Sequence, residues 1–60
     1  MAVFLSVQEA ATFLKVKETT IYQWVHERKI PFRKHGTRVI LVRDELLKWS
    51  EAQAVRVRQP

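Results

Sequence analysis

Apolar residues recur at helical spacing near the start of the chain. Four of them fall at positions i, i+3, i+4 and i+7 and would share one face of a helix: Val7, Ala10, Ala11 and Leu14. Ser6 is followed three positions later by Glu9, which is the sequence signature of a capping box. The pattern predicts a first helix over Val7–Leu14, in which two alanines allow another helix to cross closely.

A second apolar stripe begins after a gap of only three residues, 15–17. It consists of Ile21, Trp24 and Val25, and Pro31 ends the helical pattern because the residue before a proline is pushed out of the helical region. We therefore expect a second helix over residues 18–28. Its other face carries hydrogen-bonding side chains: Thr19, Thr20, Tyr22, Gln23 and His26. Two short amphipathic helices joined so tightly are typical of a helix-turn-helix that reads DNA.

The pattern then changes to short extended runs. Residues 32–35 and 38–42 flank Gly36, the only glycine, which predicts a β-hairpin because glycine supplies the positive φ of a tight turn. Acidic residues follow at the first turn of a third helix, predicted from residue 43 to about residue 53, with Leu46, Leu47 and Trp49 as apolar contacts. Residues 54–60 alternate like a strand without an obvious partner, and we interpret them as a frayed basic tail. Residues 1–53 would form a single, mainly α domain.

The amino-acid composition of the chain favours some classes of function and excludes others. Eleven Lys and Arg against six Asp and Glu give a net charge of +5 in 60 residues, which favours a polyanionic partner. The absence of cysteine excludes disulfides and cysteine-ligated zinc. We expect neither a membrane span nor a signal peptide, because no apolar run approaches the roughly 20 residues that a span needs.

Taken together, these motifs resemble the excisionase-like, MerR-superfamily winged helix-turn-helix domains of bacteria and their phages and mobile elements. The resemblance extends from Leu5 to about Ser50. The residues that carry it, in their order and spacing, are Leu5-Ser6-Val7, Glu9-Ala10-Ala11, Leu14, Val16, Thr20-Ile21-Tyr22, Trp24-Val25, Ile30-Pro31, Gly36, Arg38, Arg43, Leu46 and Trp49.

The resemblance implies an α-α-β-β-α winged fold that places the second helix in the DNA major groove, with the hairpin as a wing against the neighbouring backbone or minor groove. It puts Thr20, Tyr22 and Gln23 on the groove-facing side of that helix and Arg38 on the wing. It also implies a cytoplasmic transcription regulator, or an excisionase-type recombination directionality factor, encoded by a bacterium or phage.

Three residues depart from the family pattern. Lys17 stands where relatives usually have Ser or Thr as the cap of the second helix, a loss of about 1 kcal/mol, although a lysine can instead reach a phosphate. Thr37 and Ile40 occupy wing positions that are commonly basic. The wing would then bind DNA less tightly, or Ile40 would face a protein.

The second helix carries the predicted base contacts. Gln23 can form a bidentate contact with adenine, and threonine methyl groups can meet thymine methyls, although the same residues would also suit an ordinary solvated helix face. Tyr22 either packs on the wing or reaches a phosphate through its hydroxyl. We expect the main phosphate contacts to be Lys17, Arg33, Lys34 and Arg38, and His35 to be a polar contact at the wing tip. The full set of predicted DNA-binding residues is Lys17, Thr19, Thr20, Tyr22, Gln23, His26, Arg33, Lys34, His35, Thr37 and Arg38.

Other chemistry is not expected. His26 and His35 have no further ligand at a metal-binding spacing, and Glu27, Glu45 and Glu51 lack a nucleophile or phosphate cradle, so we predict no metal, cofactor, small-molecule ligand or catalysis. Trp24 and Trp49 are interpreted as core. RNA binding is not favoured, since no exposed aromatic platform for stacking bases is apparent.

Partners other than DNA are also considered. The alternative to DNA binding is a protein-protein interaction module that uses Tyr22, Ile40 and residues 55–58. A single module reads a small site, so specific binding would need a second copy or a partner protein on adjacent DNA. These 60 residues are expected to be too few to contain the long dimerisation helix of MerR-type regulators. Either the protein would bind as a monomer assembled cooperatively on repeated sites, or these residues would be the front of a larger product.

Overall fold

The structure, a computed structural model, describes residues 2–55. Helix α1 (Val7–Leu14) begins at the predicted capping box. The Glu9 backbone N–H donates to Ser6 Oγ (3.1 Å), and the Ser6 backbone N–H donates to Glu9 Oε1 (2.9 Å). These two bonds satisfy amide groups that have no partner within the helix, which fixes its first residue.

Helices α1 and α2 (Glu18–His26) end in the same way. After α1, Lys15 adopts the left-handed conformation (φ 59°), and Val16 N–H donates to the Ala11 carbonyl oxygen (2.9 Å). After α2, Arg28 adopts it (φ 57°), and Lys29 N–H donates to the Trp24 carbonyl oxygen (2.9 Å). Both are Schellman motifs, in which backbone bonds close the last turn. The second helix is therefore shorter than the predicted range 18–28, because Arg28 leaves the helical conformation.

Within residues 2–55, three short strands form one antiparallel sheet. The hairpin consists of β2 (Arg33–His35) and β3 (Arg38–Val42), joined by a two-residue turn in which Gly36 has φ +66°. This glycine occupies the first central position of the turn, where a positive φ is required. An additional strand that the sequence did not predict, β1 (Phe4–Leu5), pairs with the other edge of β3, so the order is β1-β3-β2. Phe4 lies opposite Val42, and Leu5 lies opposite Leu41.

The core lies where α1, α2, β3 and α3 (Arg43–Ala52) meet. Its apolar side chains are Val7, Ala10, Ala11, Ile21, Ile30, Leu41, Val42 and Leu46. The prediction that Leu47 supplies an apolar contact is wrong, since this side chain is 46% exposed. Neighbouring helical residues are rotated by about 100°, so buried Leu46 turns Leu47 towards solvent.

Trp24 and Trp49 pack against each other beside the core. Their ring centroids are 5.3 Å apart with an angle of 57° between the planes. Trp49 Nε1–H also donates to the Lys29 carbonyl oxygen at 2.7 Å, which attaches α3 to the loop after α2. The predicted structural role of both tryptophans is confirmed, and so is the winged helix-turn-helix arrangement, with the additional strand β1.

Candidate nucleic-acid interface

The exposed face of α2 centres on one stripe. Because a helix turns about 100° per residue, Thr19, Gln23 and His26 project opposite the buried Ile21. All three side chains are exposed, and Gln23 Nε2 donates a long hydrogen bond, 3.4 Å, to Glu27 Oε2. The stripe thus presents an amide, a hydroxyl and an imidazole, which can all form hydrogen bonds with base edges.

Thr20 and Tyr22 lie on the two flanks of this stripe. Two positions along a helix separate their directions by about 160°, so they do not share one face as the family resemblance implies. Thr20 is half-buried. Tyr22 is 54% exposed and lies on the flank towards the hairpin, where it lines clefts with Val39. The Tyr22 side chain therefore extends from α2 towards the wing.

The wing directs its cations to two faces. Lys34 lies opposite Val39 in the hairpin, and both line the space next to α2. Arg33 and His35 alternate to the other face: Arg33 Nη2 lies 2.6 Å from Glu45 Oε2, and the His35 ring meets Phe4 edge-on at 5.7 Å between centroids. Of the predicted phosphate contacts in the hairpin, Arg33 is thus already bound to a carboxylate.

Lys34 and Arg38 remain available on the wing, with the exposed side chain of Thr37 in the turn between them. Within residues 2–55, neither cation forms an ion pair. Lys17 likewise has no ion pair there. It caps α2 with an extended backbone and no side-chain cap bond, in agreement with the predicted loss of a Ser or Thr cap.

Among residues 2–55, two clefts lie between α2 and the wing, and Tyr22 lines both of them. The wing cleft, of about 420 Å³, is lined by Tyr22, Val25, His26, Arg28, Phe32, Lys34 and Val39. The second cleft, of about 380 Å³, is lined by Ser6, Val7, Gln8, Glu18, Tyr22, Thr37, Arg38 and Val39. Arg28 is absent from the predicted site, because the sequence gives no sign that it leaves the helix in a left-handed conformation.

Other features concern metal binding, membrane spans and protein contacts. Among residues 2–55, no group of three His, Cys, Asp or Glu side chains is arranged to hold a metal ion. In the same range no helix has the length and apolar character needed to cross a membrane. In the predicted protein-interaction surface, Tyr22 and Val55 are exposed and Ile40 is half-buried. Residues 56–58 of that surface lie outside the described residues.

Comparison with protein families agrees with this geometry. The chain matches the family model described as a helix-turn-helix domain over residues 4–54. It belongs to this family. The match includes both helices of the motif, the hairpin and α3, and it supports the excisionase-like part of the resemblance. Comparison with curated proteins and with solved structures gives no significant match. A helix-turn-helix domain indicates DNA binding as the general activity.

Proposed function

We propose that this helix-turn-helix domain binds duplex DNA sequence-specifically, with α2 in the major groove and the hairpin as a wing on the adjacent backbone or minor groove. One observation carries the proposal: the hydrogen-bonding stripe of α2 lies beside a hairpin that presents Lys34 and Arg38, neither of which is ion-paired within residues 2–55. A reading surface flanked by cations is the arrangement that separates base contacts from phosphate contacts.

The side chains divide between these two tasks. Gln23 suits a bidentate contact with adenine, and Thr19 and His26 lie beside it on the same stripe. Lys17, Lys34 and Arg38 suit phosphate contacts, with Thr37 and His35 near the wing tip. Thr20 contributes from the edge of the stripe, and Arg33 contributes only if its bond to Glu45 opens.

DNA binding of this kind suits two roles in the cell. We propose a cytoplasmic transcription regulator or an excisionase-type recombination directionality factor of bacterial or phage origin. Because one module of this size reads few base pairs, specific occupancy calls for a second copy or a partner protein on adjacent sites. The protein-interaction alternative gains no support from Ile40, which is half-buried.

Salt-dependent binding tests the proposal. Three phosphate contacts predict that log affinity for duplex DNA falls with log salt at a slope at least as steep as about −2.7, through release of counterions. Replacing both Lys34 and Arg38 with alanine should flatten the slope by about 1.8. Lys48→Ala is the control for loss of a cation elsewhere on the surface, because Lys48 is an exposed lysine on α3 that lines neither cleft. Absence of duplex binding, or a flat salt dependence, would contradict the proposal.

A further inference from the structure

We infer that the wing cleft binds one sugar–phosphate unit of the duplex backbone and that Arg28 holds its phosphate, an inference that rests on the proposed DNA binding. The cleft has an apolar floor and a basic rim. Val25, Phe32 and Val39 form the floor. The rim carries His26, Arg28 and Lys34. A deoxyribose phosphate combines the same two properties, an apolar ring face and an anionic group.

The sign of the charge distinguishes this cleft from its neighbour. None of the described residues that line the wing cleft carries a carboxylate. The second cleft is lined by Glu18 as well as Arg38, so its positive charge is opposed. Of the two spaces between α2 and the wing, the wing cleft therefore has the more favourable potential for an anion.

Like Lys34, Arg28 is a cation of this cleft that has no ion-pair partner within residues 2–55. Its neighbour Lys29 lies 3.4 Å from Glu27, and Arg33 is bound to Glu45. Arg28 is exposed and forms no ion pair within residues 2–55. A guanidinium also matches phosphate geometry, because it can donate two parallel hydrogen bonds.

The backbone conformation at Arg28 is one that favours glycine over arginine. A left-handed φ of 57° brings Cβ close to a carbonyl oxygen, so glycine is the residue that usually ends a helix in this way. Lys15 adopts the same conformation after α1 but lies between Leu14 and Val16, which line a separate groove with both tryptophans. The two positions therefore form a matched pair, alike in backbone and charge and different in surroundings.

The position of the cleft favours the duplex backbone over a free phosphorylated compound. His26 belongs both to the reading stripe of α2 and to the cleft rim, so the cleft opens onto the same surface as the stripe. Lys34 belongs to the wing. A duplex that contacts the stripe and the wing together would pass across the opening between them.

Arg28→Gly and Lys15→Gly test the inference together. The probe is a fluorescein-labelled duplex of mixed sequence, about 20 bp or two helical turns, titrated by anisotropy between about 50 and about 200 mM salt. Arg28→Gly should weaken binding about eightfold at 0.1 M salt and flatten the slope by about 0.9, the effect of one phosphate contact. Lys15→Gly should keep wild-type affinity and slope, and Arg28→Lys should restore most of the binding. Circular dichroism should show that both glycine variants are folded.

The outcomes separate this inference from the proposed function. Wild-type affinity and slope for Arg28→Gly would overturn the role of Arg28 and leave the DNA-binding proposal intact. Equal losses in the two glycine variants would also overturn it, because the cleft would then not explain the effect. No duplex binding by the wild-type chain would overturn both.

A competition experiment distinguishes two ligands for the cleft, the duplex backbone and a free phosphorylated compound. Thymidine 5′-monophosphate should not displace the labelled duplex below about 1 mM, because a single unit supplies few contacts. Displacement at micromolar concentration, lost in Arg28→Gly, would assign the cleft to a small phosphorylated ligand and overturn the backbone assignment.

Discussion

The guanidinium of Arg33 in β2 lies 2.6 Å from the carboxylate of Glu45 in α3. These residues are twelve positions apart in the chain, so the bond ties the wing to the third helix. Their side chains are 49% and 38% exposed, and an ion pair that is this accessible contributes little to stability. Its larger effect is to direct a basic side chain of the wing away from a phosphate.

Glu45→Gln should release Arg33 for DNA. We expect the salt dependence of duplex binding to become steeper by about 0.9, as for one additional phosphate contact, with tighter binding at low salt. The free energy of unfolding should fall by less than about 1 kcal/mol, because the pair is exposed. Anisotropy titrations at several salt concentrations and thermal melts measure the two effects.

Glu51→Gln is the matched control for Glu45→Gln. Glu51 lies on the same helix, is exposed and forms no ion pair within residues 2–55. Both variants remove one negative charge, but only Glu45→Gln frees Arg33. An equal change of slope in the two variants would show that net charge, and not release of Arg33, is responsible.

Lys17→Ser should separate stability from binding. A serine at the N-cap can accept a hydrogen bond from the first turn of α2, where Lys17 forms none, so the variant should gain about 1 kcal/mol of stability. The same change removes a cation and should flatten the salt slope of duplex binding by about 0.9. A higher melting temperature with an unchanged slope would mean that Lys17 does not contact phosphate.

Ser6→Ala should lower stability and leave DNA binding unchanged, whereas Lys17→Ser should raise stability and weaken DNA binding. Ser6→Ala removes the side-chain cap of α1, in which Ser6 Oγ accepts from the Glu9 backbone N–H at 3.1 Å. We expect a loss of about 1 kcal/mol in the free energy of unfolding and no change in the salt slope. A changed slope would connect this helix terminus to DNA and contradict a purely structural role for the Ser6 cap.

Trp49→Phe should destabilise the fold without altering base preference. The change removes the hydrogen bond from Nε1 to the Lys29 carbonyl oxygen and part of the contact with Trp24. The expected loss is about 1–2 kcal/mol. In a domain of this size, the melting temperature should fall by about 8–16 °C. Leu47→Ala, on the same helix but exposed, should cost less than about 0.5 kcal/mol, and equal losses would argue against the tryptophan contact.

Features determined by nearby residues were predictable from the sequence. Ser6 and Glu9 fixed the start of α1, and Gly36 fixed the hairpin turn, because each acts within three or four residues of its own position. The bounds of α1 and β3 agree with the predicted ranges 7–14 and 38–42. The face of α2 that holds Thr19, Gln23 and His26 also follows from periodicity.

Features that depend on distant residues were not predictable. Strand β1 has two residues, too few to show alternation, and it exists because Phe4 and Leu5 pair with β3. The bond between Arg33 and Glu45 depends on how the hairpin lies against α3. Arg28 ends α2 in a conformation for which the usual signal, a glycine, is missing. The residues predicted from the sequence to bind DNA therefore included Arg33 and did not include Arg28.

The central claim is that the exposed stripe of α2 reads base pairs, and selection of bound duplexes from a random pool tests it most directly. The wild-type chain should enrich a defined motif. Gln23→Ala should enrich the same motif without its preference for adenine at one position, a loss of about 1–3 kcal/mol in discrimination. Its salt slope should remain that of the wild-type chain. No enriched motif, or an unchanged adenine preference in both Gln23→Ala and Thr19→Ala, would contradict the claim.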